Sequence, residues 1–284
     1  MTTLLSPVEP SGPCSEVRRV AVPPRQRRGR RGLVTAGLTV AVVVAHLVAI
    51  RETDVSPAAL VTGWDGMVRF GSNAVPPDLD WDLVVRPGIE AAMTTFWIGL
   101  LGTTLSIPVA LLLTVLGARN TTPNVIVYQA TRSVMSFLRA VPDIVFALIF
   151  VTAVGLGPFP GVLAILLHNA GVMGKLWSET LEEMDQGPVT ALRTNGAGRV
   201  QVIAHAVLPS VVPQLVGLLL YRLDVNVRSS LVLGLVGAGG IGFLINKSIK
   251  LFQFDEMATY IVIVLVLIIA VDQVSGAVRR RLAR

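Results

Sequence analysis

The feature that most constrains this chain is a series of long apolar stretches without one acidic, lysine or arginine side chain. They occupy residues 32–50, 91–118, 144–174, 200–221, 229–246 and 257–271. A helix rises about 1.5 Å per residue, so about 20 apolar residues cross the roughly 30 Å hydrocarbon core of a bilayer. Lipid offers no water to a backbone amide or carbonyl, so a crossing segment must close its own hydrogen bonds, as a helix does. Only 15% of the 284 residues are charged, where a soluble domain carries about 25%. An all-α membrane protein follows, with one membrane domain over 33–284 and a basic, disordered tail over 1–32.

The spans are expected as follows. Gly32 to Ile50 forms the first; no small-x-small cleavage signal precedes Arg51, so it is expected to be a retained anchor. An outer loop with Trp64, Phe70 and Trp81 leads to the second, Ala91 to Ala118, where Pro108 removes a backbone donor and is expected to kink the helix. The block from Ile144 to Gly174 is broken by Gly155-Leu156-Gly157-Pro158-Phe159-Pro160-Gly161, giving a third and a fourth span joined by a turn. The fifth runs from Val207 to Val236 and the sixth from Met257 to Val271, before a basic end. Six crossings put both termini on one side. The arginine clusters at Arg18–Arg31 and Arg279–Arg284 make that side the cytoplasm. The net charge of +6 is therefore read as orientation within a cell membrane and contact with membrane lipid. It does not point to nucleic acid, because no soluble fold remains to present it to a groove.

Cys14 is alone, which excludes a disulfide framework within the chain and any multi-cysteine metal site. His46, His168 and His205 lie far apart with no carboxylate cluster beside them, so no metal is expected. The run Glu179, Glu182, Glu183 and Asp185 is read as solvated surface or as a contact to basic residues of a partner. No nucleophile–base arrangement is found, and no phosphate-binding G-x-x-x-x-G-K-[ST] loop.

Gly237-Ala238-Gly239-Gly240-Ile241-Gly242 fits the dinucleotide fingerprint G-x-G-x-x-G. The fingerprint needs a soluble βαβ unit, and its surroundings are membrane-length apolar blocks. The better use of Gly237, Gly239, Gly240 and Gly242 is an outer turn or gate, where missing Cβ atoms let backbones approach. On the cytoplasmic side, Pro188 suits the first turn of a short helix and Gly196 or Gly198 its end. Its apolar patch, Val189, Ala191 and Leu192, is too small for a core, so it needs another surface to stabilise it.

Ionisable groups inside a span are costly, by about 2.5–3.5 kcal/mol each on insertion scales. Arg222, Asp224 and Arg228 therefore stand out. Arg222, Asn226, Ser229 and Ser230 share one helix face, while Asp224 and Arg228 are spaced i, i+4 as an internal ion pair. Two readings of the first face stay open. It is a donor stripe lining an anion pathway, to which Arg228 can add, or Arg222 is structural and bonded to carbonyls or a neighbouring subunit.

The stretch from Thr190 through Gly196 to Leu208-Pro209 resembles the cytoplasmic loop of ABC importer permeases, with Thr190 at the place of the usual first Glu and Ala206 at that of an Ile. Leu101-Gly102-Thr103-Thr104, Arg139-Ala140-Val141-Pro142, Asp185-Gln186-Gly187-Pro188 and Tyr221 to Ser229 running into Leu233 to Gly242 look like phosphonate-type permeases, with a membrane domain like that of methionine importers. The resemblance implies a type I ABC importer permease architecture with six helices. It implies that Pro188, Val189, Thr190, Ala191, Leu192, Gly196, Gly198, Leu208 and Pro209 couple to an ATPase. It also implies a second copy of the chain, two ATPase subunits that hold ATP and Mg, an external binding protein, and transport of phosphonate, phosphite or phosphate. The competing reading is a self-sufficient secondary transporter or channel for small anions.

Overall fold

The computed structural model describes residues 28–54 and 56–282, and among them every regular element is helical. Cys14 and the basic cluster Arg18–Arg27 lie outside the described residues, as does most of the expected tail. Two compact units divide the chain at Trp64 and Asp65. The first holds α1 (Arg28–Glu52), in which Thr35, Thr39 and His46 are the polar side chains between Leu33 and Ile50, and the short α2 (Pro57–Thr62). Thr39 and His46 bond back to the carbonyls of Thr35 and Val42, so the helix presents an apolar surface of membrane length.

Beyond α3 (Trp64–Ala74), the second unit enters its first span through a wide π-helical turn, Trp81–Val85. Asp80 starts this turn by accepting hydrogen bonds from the amides of Asp82 at 3.0 Å and Leu83 at 2.9 Å. From there α4 (Arg86–Gly117) continues as one helix through Pro108, where a kink was expected. Around that missing donor the hydroxyls of Thr103, Thr104 and Ser106 bond back to carbonyls of the preceding turn, as hydroxyl residues do beside prolines in membrane helices.

The third span departs from expectation. The apolar run after Ile144 forms α6 (Asp143–Val154), only 12 residues long, or roughly 18 Å, which is short of a crossing. It follows α5 (Val125–Ala140) at an angle of 83°. Pro142 explains the break: it lacks an amide hydrogen and drives Val141 out of the helical region, to φ −82° and ψ 118°. Among the described residues five helices are long and apolar enough to cross a membrane, or six if the bent pair counts as one. The alternation of charge-free blocks is thus a good guide to crossings, but block edges hide a bent helix whose first half carries charges.

The fourth span, α7 (Pro158–Glu183), packs along α4 as the most extensive helix pair. Small residues make the approach possible: a Cβ on Gly102 would sit 2.6 Å from Cβ of Ile165. Next come the short α8 (Gly187–Thr194) and α9 (Arg199–Val202). A π-helical turn, Ile203–Val207, then leads into α10 (Leu208–Leu235), and α11 (Ile241–Lys250) and α12 (Phe254–Leu282) follow. Ile98, Phe146, Ile165 and Leu233 pack one core; Val84, Ile241, Tyr260 and Val264 pack a second.

Candidate functional site

Hydrogen bonding in the middle of the membrane domain is concentrated on three helices. Arg222, on α10, donates from Nε to Oδ1 of Asn169 on α7 at 2.9 Å and from Nη2 to Oδ1 of Asn226 at 3.2 Å. Asn169 donates in turn to Oγ of Ser106 at 2.7 Å, and Asn226 to Oγ1 of Thr103 at 2.8 Å, both on α4. These hydroxyls have committed their own hydrogens to the carbonyls of Thr103 and Gly99, each at 2.6 Å. Each can therefore only accept from its asparagine, so the amide NH₂ must face α4 and the amide oxygen must face Arg222. The orientation of both amides follows from this accounting.

The expected open donor stripe is thus closed in this conformation. Asn226 and Ser230 are buried, Ser230 bonding the carbonyl of Thr95 at 2.8 Å, while Arg222 and Ser229 are half-buried. The reason is geometric: the polar face of α10 meets the hydroxyl face of α4, which a one-helix wheel does not show. The sequence gives no cue to Thr103, Ser106 and Asn169, because neutral polar residues in an apolar block carry no signal of their own. An arginine inside such a block is the cue, since its donors must find oxygens nearby.

On the other side of α10, Arg228 donates to Oδ2 of Asp224 at 2.8 Å. Asp224 is buried and its Oδ1 has no hydrogen-bond partner among the described residues, whereas half of the Arg228 side chain is exposed. This pair is local, i to i+4, and does not join the Arg222 network.

At the end of α7 the acidic run is mostly not free surface. Glu182 accepts from Nη2 of Arg132 at 2.8 Å and from the amide of Arg119 at 2.9 Å, and Glu179 binds Lys175 at 2.7 Å. Arg132 also donates to the carbonyl of Gly117 at 3.0 Å. The expectation that this run waits for solvent or a partner is corrected for Glu179 and Glu182. They clamp the α4–α5 connection to α7, because Arg132 on α5 brings a charge that needs them. Glu183 and Asp185 remain exposed.

The clamp supports a short helix. The Asp185 carboxylate accepts the amide of Gly187 at 2.9 Å, Pro188 occupies the first turn, and the end is a Schellman motif: Ala197 N–H to Leu192 C=O at 3.1 Å and Gly196 N–H to Arg193 C=O at 3.0 Å. Gly196, at φ 80°, supplies the left-handed residue that this motif requires. Val189 is buried and Leu192 half-buried against Met184, Val202, Ala206 and Val207. Val189 and Leu192 therefore find their support within the chain, which corrects for these two the expectation that the patch needs a foreign surface. Thr190, Ala191, Arg193 and Thr194 stay exposed. A cavity of about 480 Å³ opens beside it, lined by Asn120, Thr121, Met184, Gln186, Val189 and Arg193 among others. Gly198 is exposed, and the wide turn before Leu208 and Pro209 falls where Pro209 has no amide to donate to the His205 carbonyl.

The glycine cluster joins α10 to α11. Gly237, Gly239 and Gly240 have φ of 95°, 78° and 75°, and a Cβ on Gly234 would sit 2.9 Å from Cα of Gly242. Leu231 to Leu235 is helix, so no strand precedes the glycines and no dinucleotide fold forms. The turn is pinned by Gly157 N–H to Gly237 C=O at 3.1 Å and by Ile241 N–H to Oγ1 of Thr95 at 2.9 Å. Among the described residues no group of three or more His, Cys, Asp or Glu is placed to hold a metal ion.

With this geometry in hand, comparison with known proteins adds the following. Residues 106–284 match the family described as the binding-protein-dependent transport system inner membrane component. The chain is 38% identical over 221 residues to the phosphite transport system permease protein PtxC of Stutzerimonas stutzeri, covering 78% of this chain and 79% of that one. It is 39% identical over 236 residues to the phosphate-import permease protein PhnE of Mycolicibacterium smegmatis, covering 83% of this chain but spanning only 44% of that protein's length. Among solved structures, an inward-facing conformation of the MetNI methionine ABC transporter superposes with a TM-score of 0.60 at 22% identity, over 73% of this chain and 100% of that one.

Proposed function

We propose that this chain, which belongs to the family of binding-protein-dependent transport system inner membrane components, forms the translocation pathway of an ATP-driven importer for a small phosphorus oxyanion such as phosphate, phosphite or a phosphonate. It is a multi-pass membrane transport component and not an enzyme. Two copies, two cytoplasmic ATPase subunits carrying ATP and Mg, and an external binding protein make up the machine in this reading. Both termini and α8 then face the cytoplasm, where the arginine-rich ends favour them.

The observation that carries the reading is α8. A helix of 8 residues is too short to be stable alone, yet here it is capped at both ends, seated on its own chain through Val189, and left with Thr190, Ala191, Arg193 and Thr194 exposed. Such a rigid knob suits a cleft in a motor subunit that moves with each ATP cycle. The relatives named for phosphate import and phosphite transport supply the substrate class. Arg222 in mid-span is compatible with an anion.

Uptake by proteoliposomes tests this. Complexes of the permease with its ATPase and binding protein should accumulate [³²P]phosphate or phosphite only with internal ATP. Accumulation by the permease without any ATPase would establish a secondary transporter or channel instead.

A further inference from the structure

We infer that Arg222 is an anion-binding site within the membrane domain, its guanidinium held ready by Asn169 and Asn226 for one tetrahedral oxyanion in transit. The inference rests on the importer reading above and deepens it by naming the residue that meets the cargo.

The first ground is charge. The side-chain partners of Arg222 are two neutral amide oxygens, at 2.9 and 3.2 Å. By contrast, Arg228 on the same helix is paired with Asp224 and Arg132 with Glu182, both at 2.8 Å. Asp143 also acts on Arg222 through its charge, but it forms no ion pair with it and holds the amide of Ile144 at 2.9 Å. A full positive charge is therefore kept in mid-span without a direct ion pair among the described residues, and arginine cannot shed it by losing its proton.

The second ground is direction. Because both asparagines are locked by the hydroxyls of Ser106 and Thr103, they fix the plane of the guanidinium. Nε and one Nη2 hydrogen are used, Nη1 has no hydrogen-bond partner among the described residues, and the residue stays partly exposed. A planar fork with donors to spare is suited to two oxygens of a phosphate-like anion. The third ground is depth. Arg222 lies roughly 20 Å along the axis from either end of α10, so a lipid headgroup does not reach it and a free oxyanion is the occupant.

Two substitutions test the assignment in the complete complex with ATPase and binding protein, using [³²P]phosphate and phosphite. Arg222→Gln removes the charge and keeps a donor for Asn169. Asn169→Asp keeps the arginine but gives it a built-in counter-ion in place of the amide. Each variant should assemble and lose uptake at least tenfold, with the melting temperature of Asn169→Asp no lower than that of the unaltered protein. A merely structural arginine would change melting temperature and leave uptake alone.

Uptake within twofold of the unaltered rate and apparent KM in either assembled variant would overturn the proposal. Loss of assembly in both would also overturn it, since the network would then serve the fold. An unaltered complex that carries neither anion would sink the importer reading itself, and this inference with it.

Discussion

Asn169→Leu isolates the energetic weight of the buried network from any transport role. Leucine is close in size to asparagine, and position 169 is fully buried, so the change leaves no large cavity. It deletes the bond from Nε of Arg222 at 2.9 Å and the bond to Ser106 at 2.7 Å. Hydrogen bonds to a charged group contribute about 1.5–3 kcal/mol. Neutral interhelical bonds in membranes average about 0.6 kcal/mol and reach about 1.7. The gain from an apolar side chain is under about 1 kcal/mol, because lipid is as apolar as leucine. The net loss is then about 2–4 kcal/mol, or a fall in melting temperature of roughly 5–15 °C if the scale for soluble domains of 150–250 residues applies. Thermal unfolding in detergent, followed by tryptophan fluorescence or size-exclusion recovery, reads this directly. Ser106→Ala, which removes only the neutral bond, should fall by no more than a few degrees. A melting temperature for Asn169→Leu within about 2 °C of the unaltered protein would show that the guanidinium finds equal partners elsewhere, and the accounting used to orient both amides would fail.

Other positions give sharp outcomes. Glu182→Ala strips Arg132 of its close partner and leaves Glu179 at 3.9 Å; a loss of about 2–4 kcal/mol is expected from a part-buried charge left uncompensated, and chemical denaturation would measure it. Gly240→Ala places a side chain at φ 75° and drives it against Oγ1 of Thr95, the acceptor for Ile241; a loss of about 1–3 kcal/mol is expected from strain and overpacking, detectable as a lower melting temperature. On α8 two changes should separate folding from coupling. Val189→Asp should lower stability, whereas Ala191→Asp, on the exposed face, should leave it within about 0.5 kcal/mol while abolishing co-purification with the ATPase and substrate-stimulated ATP hydrolysis.

Much of this protein is legible in its amino-acid sequence. Charge-free blocks of membrane length dictate helices because lipid cannot satisfy a backbone group, and five of the expected spans fall on α1, α4, α7, α10 and α12 almost as drawn. Local chemistry also reads through: Pro188 and Gly196 bound α8, and Asp224 meets Arg228 one helical turn away. The tertiary structure alone decided what lies across space. Arg222 finds Asn169 at 53 residues' separation, Asn226 finds Thr103 at 123, and Ser230 finds Thr95 at 135. The bend at Pro142 and the clamp of Glu182 on Arg132 belong to the same class. Periodicity along one helix says which side chains share a face, but which face of which neighbour they meet depends on how small residues such as Gly102 let the helices close, and that is settled only when all of them pack together.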